Sequence, residues 1–318
     1  YKRQTLAYLS GGIGAPIYPV VWVDRAGGTS LLWSEAGSYA HPRLSPDGKK
    51  LALSVIRDGN WDIWIYDLER EVATRLTFGE GYDGDQVWSP DGSELLFTSD
   101  RGGVVTVYRK RADGSGEAKM LLEEPIDQLY ASSWSPDGRY VVGQRLENLF
   151  DMWFIDLQTG EVHDYLATDF VEANPTFSPD GRWIAYQSSE SGRTEVYVRS
   201  FPVGSGKWQI SDGGGADPRW SGNGRELFFR TDDGLMVASV ETSESSLRAG
   251  KPRALIAGEY RGGLQGLGIQ GFTFSDYDSA DDGKRFVFFP REGDGRRGHV
   301  TLVTRWFDDL EAISAPGR

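Results

Sequence analysis

The sequence predicts an all-β protein, a ring of four-stranded blades of the β-propeller kind, on three observations. A four-residue turn motif recurs at a near-constant interval. The chain carries 41 glycines and 13% aromatic residues in 318, the composition of a turn-rich sheet protein. No segment of helical length shows an apolar period of 3.6.

The motif is Ser-Pro-Asp-Gly, at Ser45 to Gly48, Ser89 to Gly92, Ser135 to Gly138 and Ser178 to Gly181. Degenerate copies stand at Ser221 to Gly224 and Ala280 to Gly283. Successive starts lie 44, 46, 43, 43 and 59 residues apart, the period of one propeller blade. Proline sets φ for a type I turn, aspartate accepts backbone N–H groups, and glycine takes the left-handed position that follows. The motif therefore reads as a hairpin turn.

Its flanks supply the strands. The residue before each turn is Leu44, Trp88, Trp134, Phe177 and Trp220, one apolar register that ends a first strand. Second strands follow at 51–55, 95–98, 140–142, 183–186, 227–229 and 286–289, and third strands at 62–68, 104–108, 151–157, 195–199, 235–240 and 299–303. A weaker fourth strand, such as Thr74 to Leu76 or Trp208 to Ile210, completes the meander. At the N-terminus, Thr5 to Leu9, Val20 to Asp24 and Ser30 to Trp33 read as second, third and fourth strands. Seven units are therefore favoured over six, at about 1–36, 37–80, 81–125, 126–168, 169–211, 212–258 and 259–318, in a single domain 1–318 whose ring closes with strands from both chain ends. Six blades result if the terminal strands merge.

Charge and composition exclude several functions. With 34 basic against 47 acidic residues and no basic run longer than Lys49-Lys50 or Arg296-Arg297, a nucleic-acid footprint is not expected. The longest apolar stretch, Val20 to Val23, is far short of a membrane span, so no membrane insertion by this chain is expected. Without cysteine there is no disulfide framework or thiolate metal site, and the redox compartment stays open.

The repeats, with Asp62 to Leu68 as a representative third strand, resemble the TolB-like or PD40 propellers of the wider WD40-like group. A narrower resemblance rests on Val21 to Arg25, His41 to Leu44, Phe177 to Tyr186 and Arg305 to Phe307. These residues look like the extracytoplasmic propeller region of bacterial receptor serine/threonine kinases. That resemblance implies a sensing or protein-binding module, periplasmic or extracellular, tethered to a kinase and membrane segment that this sequence does not contain; a cytoplasmic location stays open. Similar blades also precede the catalytic domain of prolyl oligopeptidases and form some polysaccharide lyases, so the fold alone does not name a function.

Motifs for chemistry are weak. Gly-x-Ser-x-Gly is absent. Gly266 to Gly271 matches Gly-x-Gly-x-x-Gly without the following helix that gives that pattern meaning. His41, His163 and His299 fall in different blades and strand types. Asp276, Asp278, Asp281 and Asp282 crowd one turn and supply hard oxygen ligands, so calcium is an option with Asp276, Asp278 and Asp282 as ligands; the spacing is not that of an EF-hand, and solvated turn carboxylates are the alternative. No other cofactor is expected. Trp61 and Trp208 sit beside loops as candidate contact residues.

The most informative constellation is one register read across blades. Four residues before each turn stand His41, Asp85, Ala131, Asn174, Asp217 and Asp276. The first strand of a blade lines the central channel, so these positions form a ring at one height, with Asp83 and Glu172 near the same mouth. The ring is expected to gather negative potential and receive a protein or peptide ligand, without catalysis. The alternatives are a channel mouth that is polar for solvation alone, a channel-sited lyase or hydrolase using a bound cation, and a structural scaffold for assembly. A second candidate is the long insertion within Glu241 to Gly271, read as a lid or as an ordinary loop.

Overall fold

The computed structural model describes residues 5–10, 18–146, 150–202, 206–243, 245–257, 275–289 and 299–304. The insertion's 258–271 stretch, with its glycine-rich motif, and Arg305 to Phe307 lie outside the described residues. Among the described residues the one helical element is the 3-10 turn Asp281–Gly283. No helix among them is long and apolar enough to cross a membrane.

The strands form six blades, not the seven favoured by the sequence. The first joins Tyr277–Ala280 and Arg285–Phe288 to Tyr18–Asp24 and the early half of Thr29–Leu44. The late half of Thr29–Leu44 opens the second blade and pairs with Lys50–Arg57, followed by Asn60–Asp67 and Val72–Arg75. The third blade is Asp83–Trp88, Glu94–Ser99, Thr106–Arg111 and Lys119–Met120. Leu129–Trp134, Tyr140–Leu146, Phe150–Asp156 and Glu161–Leu166 make the fourth. The fifth is Glu172–Phe177, Trp183–Ser188, Glu195–Ser200 and Lys207–Gln209. In the sixth, Ala216–Trp220 and Glu226–Thr231 lead to Gly234–Thr242, against which both Leu247–Ala249 and Arg253–Ala257 pair.

The seventh blade fails for a physical reason. Val21 pairs directly with Phe288 and Val23 with Phe286, so the second strand of the last repeat and the third strand of the first belong to one blade. Thr5–Ser10 and His299–Thr304 pair with each other as a separate two-stranded ribbon. Counting both as blade strands inflates the total by one.

Each turn motif works as its chemistry demands. In the first, the amide of Gly48, at φ 68°, donates to the Ser45 carbonyl. The Ser45 hydroxyl donates to Asp47 Oδ1 at 2.6 Å, and that oxygen accepts the amide of Lys49 at 3.0 Å. The same serine–aspartate bond recurs at Ser89, Ser135 and Ser178.

The core lies between blades. Ala52, Ile63 and Ile65 of the second meet Trp88, Leu95 and Phe97 of the third; Trp183, Val196 and Val198 of the fifth meet Trp220, Leu227 and Phe229 of the sixth. Phe228, Leu235 and Val237 of the sixth meet Val21, Val23, Phe286 and Phe288 of the first. Burial of each large ring contributes roughly 2–3 kcal/mol. Trp208, half-buried, packs edge-on to Trp183 at 5.3 Å.

Candidate functional site at the axial mouth

Innermost strands break their ladders at one place. Register shifts fall between Ala40 and Arg43, Gly84 and Val87, Ala131 and Ser133, Ala173 and Thr176, and Ala216 and Arg219. A bulge re-aims side chains. Here it puts His41, Asp85, Asn174 and Asp217 at φ of 53°, 50°, 52° and 51°, the left-handed region that Asn and Asp tolerate better than other non-glycine residues.

The bulge also frees a backbone amide, and in each case the preceding blade or strand approach satisfies it. The His41 amide donates to the Ser275 carbonyl at 3.0 Å, and that of Asp85 to His41 Nδ1 at 3.2 Å. The Asn174 amide donates to Gln144 Oε1 at 2.7 Å, and that of Asp217 to Gln187 Oε1 at 3.0 Å. The ring predicted from the sequence is thus a set of stitches between blades.

Most of its charges are compensated within the protein. Asp217 Oδ1 lies 2.8 Å from Arg219 Nη2, and Asp276 Oδ1 lies 3.5 Å from Arg230 Nη1. Asp83 takes both its bonds from Arg101, at 2.8 and 2.7 Å. Glu172 accepts from Thr168 at 2.7 Å and Ser188 at 3.4 Å, and burial pushes its carboxyl above the usual range. Asp85, like Glu172 and unlike Asp83, Asp217 and Asp276, has neutral partners: the Tyr82 hydroxyl donates to Oδ2 at 2.5 Å, and His41 Nε2 lies 3.3 Å from Oδ1. With Nδ1 of His41 accepting an amide, the ring proton sits on Nε2. Burial drives the His41 pKa down, more than the Asp85 carboxylate raises it.

His41, Asp85 and Asn174 converge with Arg43, Arg219 and Ser275 on a cavity of about 20 Å³, room for about one water. Arg43 Nη1 and Arg219 Nη2 both donate to Ser275 Oγ, at 2.8 and 2.9 Å. Burial and the neighbouring Arg219 bring Arg43 down to about 10. The axis is therefore filled below the mouth. A larger open groove, about 690 Å³, lies among the turns of the fifth and sixth blades; the Asp180 carboxylate beside it is held by Arg182 at 2.9 and 2.7 Å.

The calcium candidates do not converge. Asp276 faces Arg230, Asp278 accepts the amides of Leu44 at 2.8 Å and Ser279 at 3.0 Å, and Asp282 is exposed on the 3-10 turn. Among the described residues no group of three or more His, Asp or Glu side chains is placed to hold a metal ion. Two further registers escaped the sequence reading. Arg43 and Arg219 stand two residues before the turn, while Ser54, Gln144, Gln187 and Arg230 stand nine after its first residue. The signal was a polar residue at a fixed place in an otherwise apolar second strand.

Six blades stitched at the axis in this way define a β-propeller. Residues 2–148 match the family model described as PD40, a TolB beta propeller domain, and that part of the chain carries the family's repeat. An uncharacterized protein of Agrobacterium fabrum is 34% identical over 197 residues, covering 57% of this chain and 61% of its own length. The Tol-Pal system protein TolB of Helicobacter pylori is 28% identical over 157 residues, covering 48% and 37%. The chain thus matches less than two thirds of the length of these relatives. A solved structure provisionally named TolB, from Agrobacterium tumefaciens, superposes with a TM-score of 0.63 at 19% identity, over 86% of this chain and 97% of that one, which shows the shared fold.

Proposed function

We propose that the chain is a non-catalytic binding or sensing module that docks a protein or peptide on the face where the axial mouth opens. One observation carries this reading. Phe78 and Phe170 are 66% and 41% exposed, in the loops that lead into the first strands Asp83–Trp88 and Glu172–Phe177. First strands of all blades run the same way along the axis, so both rings stand on the mouth face. Exposed aromatic side chains around a polar centre are the composition of an interface. With the axis filled beneath the mouth, the ligand docks across the face and does not thread the channel. The resemblance to a protein named as part of the Tol-Pal system supports a protein partner, and the module is proposed to act outside the cytoplasm, with tethering to a membrane-bound kinase as one form of that setting.

The test is a Phe78→Ser, Phe170→Ser double variant. It should retain the wild-type melting temperature and lose at least about tenfold in affinity for a captured protein partner, measured by calorimetric titration. Unchanged affinity overturns the reading.

A further inference from the structure

Asp85 is the ring carboxylate held by neutral donors. Beside it, the Trp61 ring lies 5.2 Å from that of Tyr82 and 6.3 Å from that of His41. A parallel bridge joins Trp61 to Tyr82, and the Trp61 amide donates to Gly81 at 3.0 Å, so the indole and phenol are fixed with respect to each other. Tyr130, from the fourth blade, stands near enough for the Asp85 charge to add to burial in pushing its phenol up to about 12. Trp61, Tyr82, Asp85 and Tyr130 are all half-buried, and the Asp85 side chain keeps 17% of its surface open.

A carboxylate that no lysine or arginine contacts, flanked by aromatic rings, attracts a cation through both its charge and the ring quadrupoles. An anionic group is repelled there, and an apolar group leaves the carboxylate desolvated without a partner. Of the cations near the mouth, Arg101 is paired with Asp83, while Arg43, which feels the Asp85 charge, is turned below the mouth onto the Pro42 carbonyl and the Ser275 hydroxyl. We propose that Asp85, with Trp61 and Tyr82, forms a recess for one basic side chain, lysine or arginine, of the docking partner. This rests on the docking reading of the mouth face.

The test needs no native partner. The indole N–H resonance of Trp61, assigned with Trp61→Phe, is followed while acetyl-Gly-Lys-Lys-Gly-amide is added, and then acetyl-Gly-Glu-Glu-Gly-amide. The lysine peptide should produce a saturable shift and the glutamate peptide none. Asp85→Asn should weaken the lysine response at least about tenfold, and asparagine keeps both the left-handed backbone and an acceptor for Tyr82, so folding is preserved. No shift in the wild-type protein, an equal response to the glutamate peptide, or an undiminished response in Asp85→Asn overturns the recess. A partner that binds through Phe78 and Phe170 and is indifferent to Asp85→Asn refutes the recess and leaves docking intact. A recess that takes the lysine peptide while the phenylalanine variant leaves partner affinity unchanged refutes docking alone.

Discussion

The backbone amide of Asp85 donates to Nδ1 of His41 across 3.2 Å, from the third blade to the second. Only a neutral imidazole accepts that bond, and burial keeps His41 neutral by lowering its pKa. A folded value depressed below the unfolded value means that the unfolded chain binds the proton first as the medium is acidified. The contribution to stability is fully present above about 6.5 and is lost as the pH falls through the folded value. Melting temperature should therefore drop between pH 7 and pH 5 more steeply in the wild-type protein than in His41→Asn. Parallel curves would show that the imidazole does not make this stitch.

Arg219 and Asp217 form a buried pair, the two residues being 8% and 3% exposed. Removing one partner leaves the other charge uncompensated in the interior. Arg219→Met should cost about 3–5 kcal/mol in denaturant titration, and adding Asp217→Asn should return part of it. A loss under about 1 kcal/mol would place water against Asp217.

Glu172 presents the opposite case. Its folded pKa is raised from 4.5 by burial, ahead of the bonds from Thr168 and Ser188 that lower it. Such a group stabilises the fold below its unfolded pKa, and that contribution disappears as the pH rises through the folded value. Glu172→Gln should therefore raise the melting temperature at pH 8 and change it little at pH 4. A fall at pH 8 would mean that the ionised carboxylate has a cationic partner.

Repeat patterning made the blades readable because turn, apolar flank and second strand recur at fixed offsets, and each offset has one structural meaning. The blade count was not readable, since Val21 and Phe288 are neighbours through a pairing between chain ends that no local pattern encodes. The axial ring was legible as a polar register. Its compensation was not, because Arg219, Arg230 and Arg101 reach their carboxylates from other registers, and side-chain reach is invisible to spacing. Trp88 and Trp220 were legible as core, while their polar ends were not.

Trp88 Nε1 donates to the Arg43 carbonyl of the second blade at 2.9 Å, whereas Trp134 turns the same atom onto Gly138 of its own blade at 3.1 Å. Trp88→Phe keeps most of the buried ring and removes the bond between blades, at a cost of about 1 kcal/mol. Hydrogen exchange should then rise on both the second and third blades, while Trp134→Phe should raise it on the fourth alone. Exchange confined to the third blade in Trp88→Phe would show that the bond does not couple the pair.

Asn174 combines the constraints of this register in one residue. Its φ of 52° disfavours a side chain branched at Cβ. Its amide is held by Gln144 at 2.7 Å, and its Nδ2 donates to Gln187 Oε1 at 3.0 Å. Gln187 Oε1 also accepts the Asp217 amide, so Gln187 links the fifth blade to the sixth. Asn174→Gly relaxes the backbone strain and loses the side-chain bond to Gln187, effects of opposite sign that should nearly cancel, within about 1 kcal/mol. Asn174→Val adds a steric penalty of at least about 1–2 kcal/mol to the lost bond. The measurable outcome is the order of stabilities, with the glycine variant close to wild type and the valine variant clearly below both. If valine and glycine prove equal, the left-handed bulge does not persist in solution, and the axial ring loses the geometry that aims Asp85 and its neighbours into the mouth.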